Sequence, residues 1–357
     1  MRILQLNFER GWRGGERQTL LCLRHFRAAG HHAALLARRG EPLARAARDE
    51  GFEVHEAENA FSLCGRLLGI ARRYDILHAQ TANTLTWLAL LKPILRRPII
   101  FTRRTAFPVS DKKQDKTRWK WRRADLLAAI SEAAAAEPRR LGLPVAVIPS
   151  AIEARPFDID RARAFSAQFD LQGRKVIATV AALTREKDPC TLVRAVHALR
   201  RTRNDFVFLH LGAGGDAEQA ARSLAAQLGV QDCYLFAGFQ QGVEDIYRLM
   251  DVFVLASTHE ALGTSVLDAF LYSVPVVSTN AGGLAEVLGD GRGLLCEVGD
   301  HEELARAMGR VLGDAALRSE MVQKAHAFVL EQHDPRRMAH RYLDAYQAVL
   351  TRFEARG

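Results

Sequence analysis

Short runs of aliphatic and β-branched residues alternate along the chain with longer stretches whose apolar positions recur every three to four residues. In the first half the strand-like runs are Ile3–Asn7, Ala33–Ala37, Asp75–Ala79, Pro98–Thr102, Leu126–Ile130 and Val145–Ile148. Between them lie helix-like segments such as Gly15–Ala29, where Leu20, Leu21, Leu23 and Phe26 share a face and Gly30 follows as a cap. The pattern pauses at IPSAIEARPFDIDRARAF, where Pro149 and Pro156 interrupt regular structure. It restarts with Val176–Ala181, Phe206–Leu211, Tyr234–Phe236, Val252–Leu255, Pro275–Ser278 and Leu294–Cys296. A long amphipathic helix is predicted from Asp334 to Arg356. Strand and helix in steady alternation predict parallel sheets covered by helices, an α/β class. Two such successions predict two Rossmann-like, doubly wound domains: 1–160 together with 336–357, and 161–335. Ligands of such sheets sit off the carboxyl ends of the strands, and a cleft between the two domains is the expected place.

Bulk properties narrow the class. A chain of 357 residues exceeds one ordinary core. Its 48% hydrophobic and 25% charged content is that of a soluble globular protein. Five cysteines are scattered without a Cys-x-x-Cys pair, which fits a reducing compartment better than a disulfide frame or a zinc site. The opening MRILQLNF runs straight into a strand with no secretory segment, and the apolar stretch LTWLALL is far too short to span a bilayer. The expectation is a cytoplasmic protein. The net charge of +9 is unevenly distributed. Residues 1–150 hold 27 basic and 14 acidic side chains, a net +13, and the remainder carries −4. The first half therefore favours an anionic surface such as phospholipid, lipopolysaccharide or nucleic acid. No base-stacking module accompanies it, and the acidic second half argues against nucleic acid.

Six stretches carry candidate chemistry. NFERGWRGGERQTL puts Gly14 and Gly15 between a strand and a helix, where backbone amides can meet an anion, or where a plain turn is needed. DILHAQT ends a strand with His78, which could be catalytic but whose position favours a hydrogen-bonded core residue. FTRRTAFPVSDKKQDKTRWKWRR places Arg103 and Arg104 at a strand end, suited to phosphate or carboxylate. The Lys/Arg mixture with Trp119 and Trp121 that follows suits an anionic membrane interface, or simply a solvated face. AALTREKDPCTLVRAV brings Arg185 and Lys187 to a helix start opened by Pro189 and capped by Asp188. Asp158-Ile159-Asp160 has metal-like spacing but no strand to hold it rigid, so no metal is expected there. The richest stretch is THEALGTSVLDAF. Glu260 follows a strand, Gly263-Thr264-Ser265 open a helix, and Asp268 lies a turn inside it. Amides for a diphosphate, flanked by carboxylates for hydroxyls, describe a nucleotide sugar, with Gly282-Gly283 expected as a second amide-rich loop.

HEALGTSVLDA followed by VPVVSTNAGGLAEVLGDGRGLL resembles the donor-site signature of retaining glycosyltransferases of family 4, glycosyl transferases group 1, with the GT-B fold. GWRGGE, DILHA, VIPSAIEARPF, LTREKD and FAGFQQ follow in the family's order across nearly the whole chain. The resemblance implies a hexosyltransferase-type enzyme without a cofactor, whose donor is a UDP-, GDP- or other nucleotide-diphosphate sugar. It implies a second domain that binds donor, a first that binds acceptor, and a last helix that returns to the first. Carried over, Glu260 holds the donor sugar and Asp268 the ribose. Lys187, with Arg185, neutralises the diphosphate, and Gly263, Thr264 and Ser265 supply amides. Phe239 after Gly238 lies beside the base, and Gly15 approaches the diphosphate. His78 and Gln80 stand at the reaction centre, and Arg103 and Arg104 toward the acceptor.

Three departures stand out. Asp268 replaces the usual glutamate, Ala182 replaces a frequent arginine, and Gln80 replaces the second histidine of a His-x-His pair. The implied mechanism is front-face displacement assisted by the leaving group, without metal. TRRTAFPV is similar to members that build lipopolysaccharide or surface polysaccharide, so a glycan or lipid-linked acceptor is expected, with peripheral contact at the inner face of a membrane. A nucleotide-sugar 2-epimerase of the same fold and a non-catalytic nucleotide-sugar binder are the rival readings.

Overall fold

The computed structural model describes residues 1–355 and divides into two compact units, Met1–Ala151 with Gln332–Gly357, and Ile152–Glu331. The first unit holds a seven-stranded sheet: β1 (Arg2–Asn7), β2 (His32–Arg38), β3 (Glu53–Ala57), β4 (Ile76–Ala79), β5 (Ile99–Arg103), β6 (Leu126–Ala129) and β7 (Ala146–Val147). The strands are parallel in the order β3-β2-β1-β4-β5-β6-β7. The central strands are buried on both faces, which is why they read as unbroken apolar runs. β3 escapes that pattern. Its sequence EVHEA lies at the sheet edge and is only half buried, so charged residues are tolerated.

Two cores cover the two faces of this sheet. One is closed by helices Ala60–Ile70 and Ala82–Leu95 and by Trp121 of helix Gln114–Arg122. The other is closed by helices Gly14–Ala28 and Pro42–Asp49 and by the last helix, Pro335–Glu354. Asp334 caps that last helix, accepting from Arg337 N at 2.9 Å. Its Met338, Tyr342, Tyr346 and Val349 form one helical stripe into the core. Arg356, the expected end of this helix, lies outside the described residues.

The second unit has six parallel strands: β8 (Lys175–Val180), β9 (Phe206–Leu211), β10 (Tyr234–Gly238), β11 (Val252–Leu255), β12 (Val276–Thr279) and β13 (Leu294–Cys296). Their order is β10-β9-β8-β11-β12-β13, so the winding reverses between β8 and β11. A winding reversal of this kind is where such sheets bind ligands.

The units part at Ala151/Ile152 and again at Glu331/Gln332, earlier on both sides than the sequence boundaries of 160/161 and 335/336. Hydrogen bonding explains both shifts. Arg155 N donates to Tyr272 Oη (3.2 Å) and Asp158 N to Asp245 Oδ1 (2.9 Å), tying the linker to the second unit. His333 Nδ1 lies 2.7 Å from Ser150 O, tying the return to the first.

Candidate active site

In the second unit, the loops after β8 and β11 meet at the winding reversal. The chain leaves β8 through Ala181–Thr184 and forms a short 3-10 turn, Arg185–Lys187. Asp188 then caps helix Pro189–Arg200, accepting from Thr191 N (3.2 Å) and Thr191 Oγ1 (2.6 Å), which occupies its carboxylate. From β11 the chain runs through Ser257–Glu260 to helix Thr264–Leu271. Thr258 N donates to Glu186 O at 2.8 Å, stitching the two loops together. Next to this stitch, Lys187 Nζ forms an ion pair with the Glu260 carboxylate.

Helix Thr264–Leu271 starts at Gly263. The amides of Val266 and Leu267 donate to Gly263 O (2.9 and 3.2 Å). The Thr264 and Ser265 amides therefore form the open head of the helix, where backbone partial charge favours an anion. Asp268 is buried on that helix. Glu260, Lys187, Thr264, Ser265 and Asp268 thus sit on two stitched loops and one helix of the same unit.

Gly282 and Gly283 also allow a close backbone approach. Gly283 N donates to Glu260 O at 2.9 Å, so that amide is already engaged. A side-chain carbon on Gly282 would stand 2.3 Å from Glu260 O, and one on Gly283 2.1 Å from Ala261 O. The glycine pair lets this turn press directly on the backbone that carries Glu260. A second glycine loop has little signature in the sequence. After β9, side-chain carbons on Gly212 and Gly215 would fall 1.8 Å from Ala181 O and 2.2 Å from Leu183 O. Leu183 N also donates to Gly214 O at 2.9 Å. This loop braces the segment that leads to Lys187, and its only sequence signal was the run GAGGD.

Arg185 points elsewhere. Its side chain is 83% exposed and lies 3.2 Å from Asp216 Oδ2. Phe239, after Gly238, is 63% exposed, an available flat surface for a ring. Asp158 of the Asp-x-Asp stretch caps helix Ile159–Gln168, accepting from Asp160 N and Arg161 N.

In the first unit, the strand-end residues differ in burial. His78 is fully buried. Its Nδ1 is 2.6 Å from Tyr346 Oη and its Nε2 2.8 Å from Thr102 Oγ1, which in turn is 2.9 Å from Tyr342 Oη. Burial, with the Arg104 charge as a lesser cause, holds the imidazole neutral well below its usual range. Gln80 is buried too, donating to Gln5 Oε1 at 2.5 Å. Its own Oε1 accepts from Arg104 Nη2 (2.5 Å) and Nε (3.2 Å). These two residues, expected at the reaction centre, form a buried polar network behind Arg104.

Arg103 is buried and directed inward, donating to Ala134 O (2.6 Å) and Phe107 O, with its guanidinium 5.3 Å from the Trp121 ring. It is anchored to these backbone carbonyls. Arg104 is only partly buried, and Nη1 also reaches Ser150 Oγ at 3.2 Å. A side-chain carbon on Gly15 would lie 3.8 Å from Arg104 Cδ, so Arg104 runs along the head of helix Gly14–Ala28. Trp121, expected at a membrane interface, is buried, and only Trp119 faces outward.

Two parallel-sheet Rossmann-like units with a last helix belonging to the first unit define the GT-B class of fold. Family models agree: "Glycosyltransferase Family 4" matches residues 12–155 and "Glycosyl transferases group 1" matches residues 161–328. The chain belongs to this glycosyltransferase family. It is 31% identical over 169 residues to the lipopolysaccharide core biosynthesis glycosyltransferase LpsE of Rhizobium meliloti, covering 47% of this chain and 48% of that one. It is 33% identical over 216 residues to the 2-deoxystreptamine glucosyltransferase of Streptomyces kanamyceticus, covering 56% and 54%. The chain thus matches about half the length of these curated relatives. Among solved structures, Anabaena Alr3699/HepE in complex with UDP and glucose superimposes with a TM-score of 0.87 at 19% identity, covering 97% of this chain and 99% of that one.

Proposed function

We propose that this protein transfers a sugar from a nucleotide-diphosphate sugar to a hydroxyl of a glycan or lipid-linked acceptor, with retention at the anomeric carbon. The observation that carries the reading is the convergence of Lys187, Glu260 and the Thr264–Ser265 helix head on the stitched loops of the second unit. Lys187 and the helix amides take the diphosphate, Glu260 takes sugar hydroxyls, and Asp268 takes the ribose. Phe239 offers its exposed ring to the base, and Arg185 adds long-range positive charge. The Anabaena neighbour holds UDP and glucose, which supports a donor of that chemistry.

The step balances without a protein base. The acceptor oxygen bonds to the anomeric carbon on the face from which the diphosphate leaves. The bond from that carbon to the phosphate oxygen breaks, and the acceptor proton passes to the departing phosphate. Positioning and stabilisation of leaving-group charge are then the main contributions of the chain. Release of nucleoside diphosphate, assayed over a donor panel with and without acceptor, tests this. Acceptor-dependent release with glycoside formed supports transfer. Isomerised donor without acceptor supports the epimerase, and binding without release a non-catalytic role. Activity abolished by EDTA would overturn the metal-free part. Lys187→Ala should lower kcat about 10²–10³-fold, more than it raises donor KM, because charge on the leaving group grows toward the transition state.

A lipid-linked acceptor also fits the outer side of the first unit, and one relative acts in lipopolysaccharide core synthesis. Helices Ala60–Ile70, Ala82–Leu95 and Gln114–Arg122 pack side by side. They expose Phe61 (90%), Leu68, Leu90, Ile94 (58%) and Trp119. Neither residues 60–70 nor 82–95 contain a single acid, while Arg66, Arg96, Lys116 and Arg118 are exposed around them. Apolar side chains flanked by these cations, with Asp115 of the third helix also exposed, complement an anionic bilayer surface through their excess of positive charge. Co-sedimentation with vesicles containing anionic lipid should fall with salt and with Phe61→Ser/Ile94→Ser. Binding indifferent to both, or self-association through this face, would remove membrane contact from the reading.

A further inference from the structure

Lys187 and Glu260 are assigned to opposite parts of one ligand, yet in this structure they hold each other. We infer that Glu260 sets the preference of the site for a nucleotide sugar over the bare nucleoside diphosphate, by competing with phosphate for Lys187. The inference rests on the donor-site reading above and deepens it.

The pairing is built into the backbone. Thr258 N to Glu186 O holds the two loops in register, and the glycine turn at 282–283 presses on the Glu260 carbonyl. Glu260 Oε1 also accepts from Ala261 N at 3.2 Å, which fixes the carboxylate. Both side chains are partly screened from solvent, at 25% and 15% exposure, so their charges act more strongly on each other and on a ligand than surface charges do. Such a carboxylate cannot retreat far when a ligand reaches Lys187.

The two ligands then meet different sites. A nucleotide sugar brings hydroxyls that donate to Glu260, and its sugar-linked phosphate carries one charge. A nucleoside diphosphate brings no hydroxyls there, and its terminal phosphate carries about one further negative charge near neutral pH. That extra charge faces the Glu260 carboxylate and must displace it from Lys187. Once the sugar has been transferred, the ion pair re-forms and the nucleotide is expelled. Glu260 thereby limits product inhibition as well as orienting the sugar.

Calorimetric binding of UDP and GDP to the full chain tests this with no turnover involved. Glu260→Gln should bind the matching diphosphate roughly tenfold or more tighter than wild type, because removal of one nearby negative charge frees Lys187. Glu260→Asp, which keeps the charge, should stay within about threefold of wild type on the same Coulombic ground. In a Lys187→Ala background the gain from Glu260→Gln should largely vanish. A Glu260→Gln protein that binds diphosphate no tighter than wild type, or an equal gain without Lys187, overturns the inference. If wild type binds neither diphosphate nor any nucleotide sugar of the panel, it is the donor-site reading that falls.

Discussion

Gln80 has no proton to exchange near neutral pH, and both ends of its carboxamide are engaged within the core. Its oxygen clasps Arg104 by two donors, while Ser150 takes a third. All three acceptor contacts are to neutral groups, so the guanidinium keeps its full charge for a ligand. We propose that Gln80 is a positioning residue that acts through Arg104. Gln80→Ala should raise KM about tenfold with a smaller change in kcat and an unaltered pH profile. Gln80→Glu should weaken binding further by pairing with Arg104. Steady-state kinetics across pH decide this, and a displaced pH optimum in Gln80→Ala would argue for a proton-transfer role instead.

At the scale of elements, the Gly282–Gly283 turn governs where Glu260 stands. Gly283→Ala would drive a methyl group into the Ala261 carbonyl, and overpacking of this kind costs about 1–3 kcal/mol. The expected outcome is a modest fall in melting temperature with a large fall in kcat; a fully active variant would show that Glu260 tolerates displacement. Strands of the second unit were legible because buried parallel strands are uniformly apolar, whereas the charged edge strand β3 carries no such signature. The signature around Glu260 and Asp268 was legible because its residues lie within one short stretch, although the partner of Glu260, Lys187, lies 73 positions away. The partners of His78 were not, since Tyr346 lies 268 positions away. Nor could Gly212 and Gly215 announce the carbonyls they cover, on a loop from another strand. Trp119 and Trp121 were open to a sharper reading. Two residues apart on a helix is about 200° of rotation, so they cannot share a face, and only one is exposed.

Each unit of the whole molecule carries a histidine buried in neutral form. His78 is held well below its usual range by burial and by Arg104, and burial pushes His210 down to about 4, against a weaker opposing bond to Ala181 O. Both folded pKa values lie below the unfolded one, so the unfolded chain takes up protons first as pH falls. Stability should be full above about pH 6.5 and decline as pH drops toward 4, with His210 alone contributing on the order of 3 kcal/mol across that window. Denaturant unfolding at stepped pH should show this slope, and His210→Gln should flatten it; a curve unchanged by the substitution would place the acid sensitivity elsewhere.

The first unit is made of two stretches of chain, Met1–Ala151 and Gln332–Gly357, with the other unit encoded between them. During synthesis, then, Phe26 and the sheet beneath it wait for Tyr342 and Tyr346 to leave the ribosome. At about 5–20 residues per second, synthesis of the intervening Ile152–Glu331 alone takes roughly 9–36 s, time in which that unit can fold before the first is completed. We predict that the nascent first unit is held by a holdase chaperone until then. A chain arrested after residue 331 should remain chaperone-bound and dye-accessible on that face, and release should follow once residues 335–354 emerge.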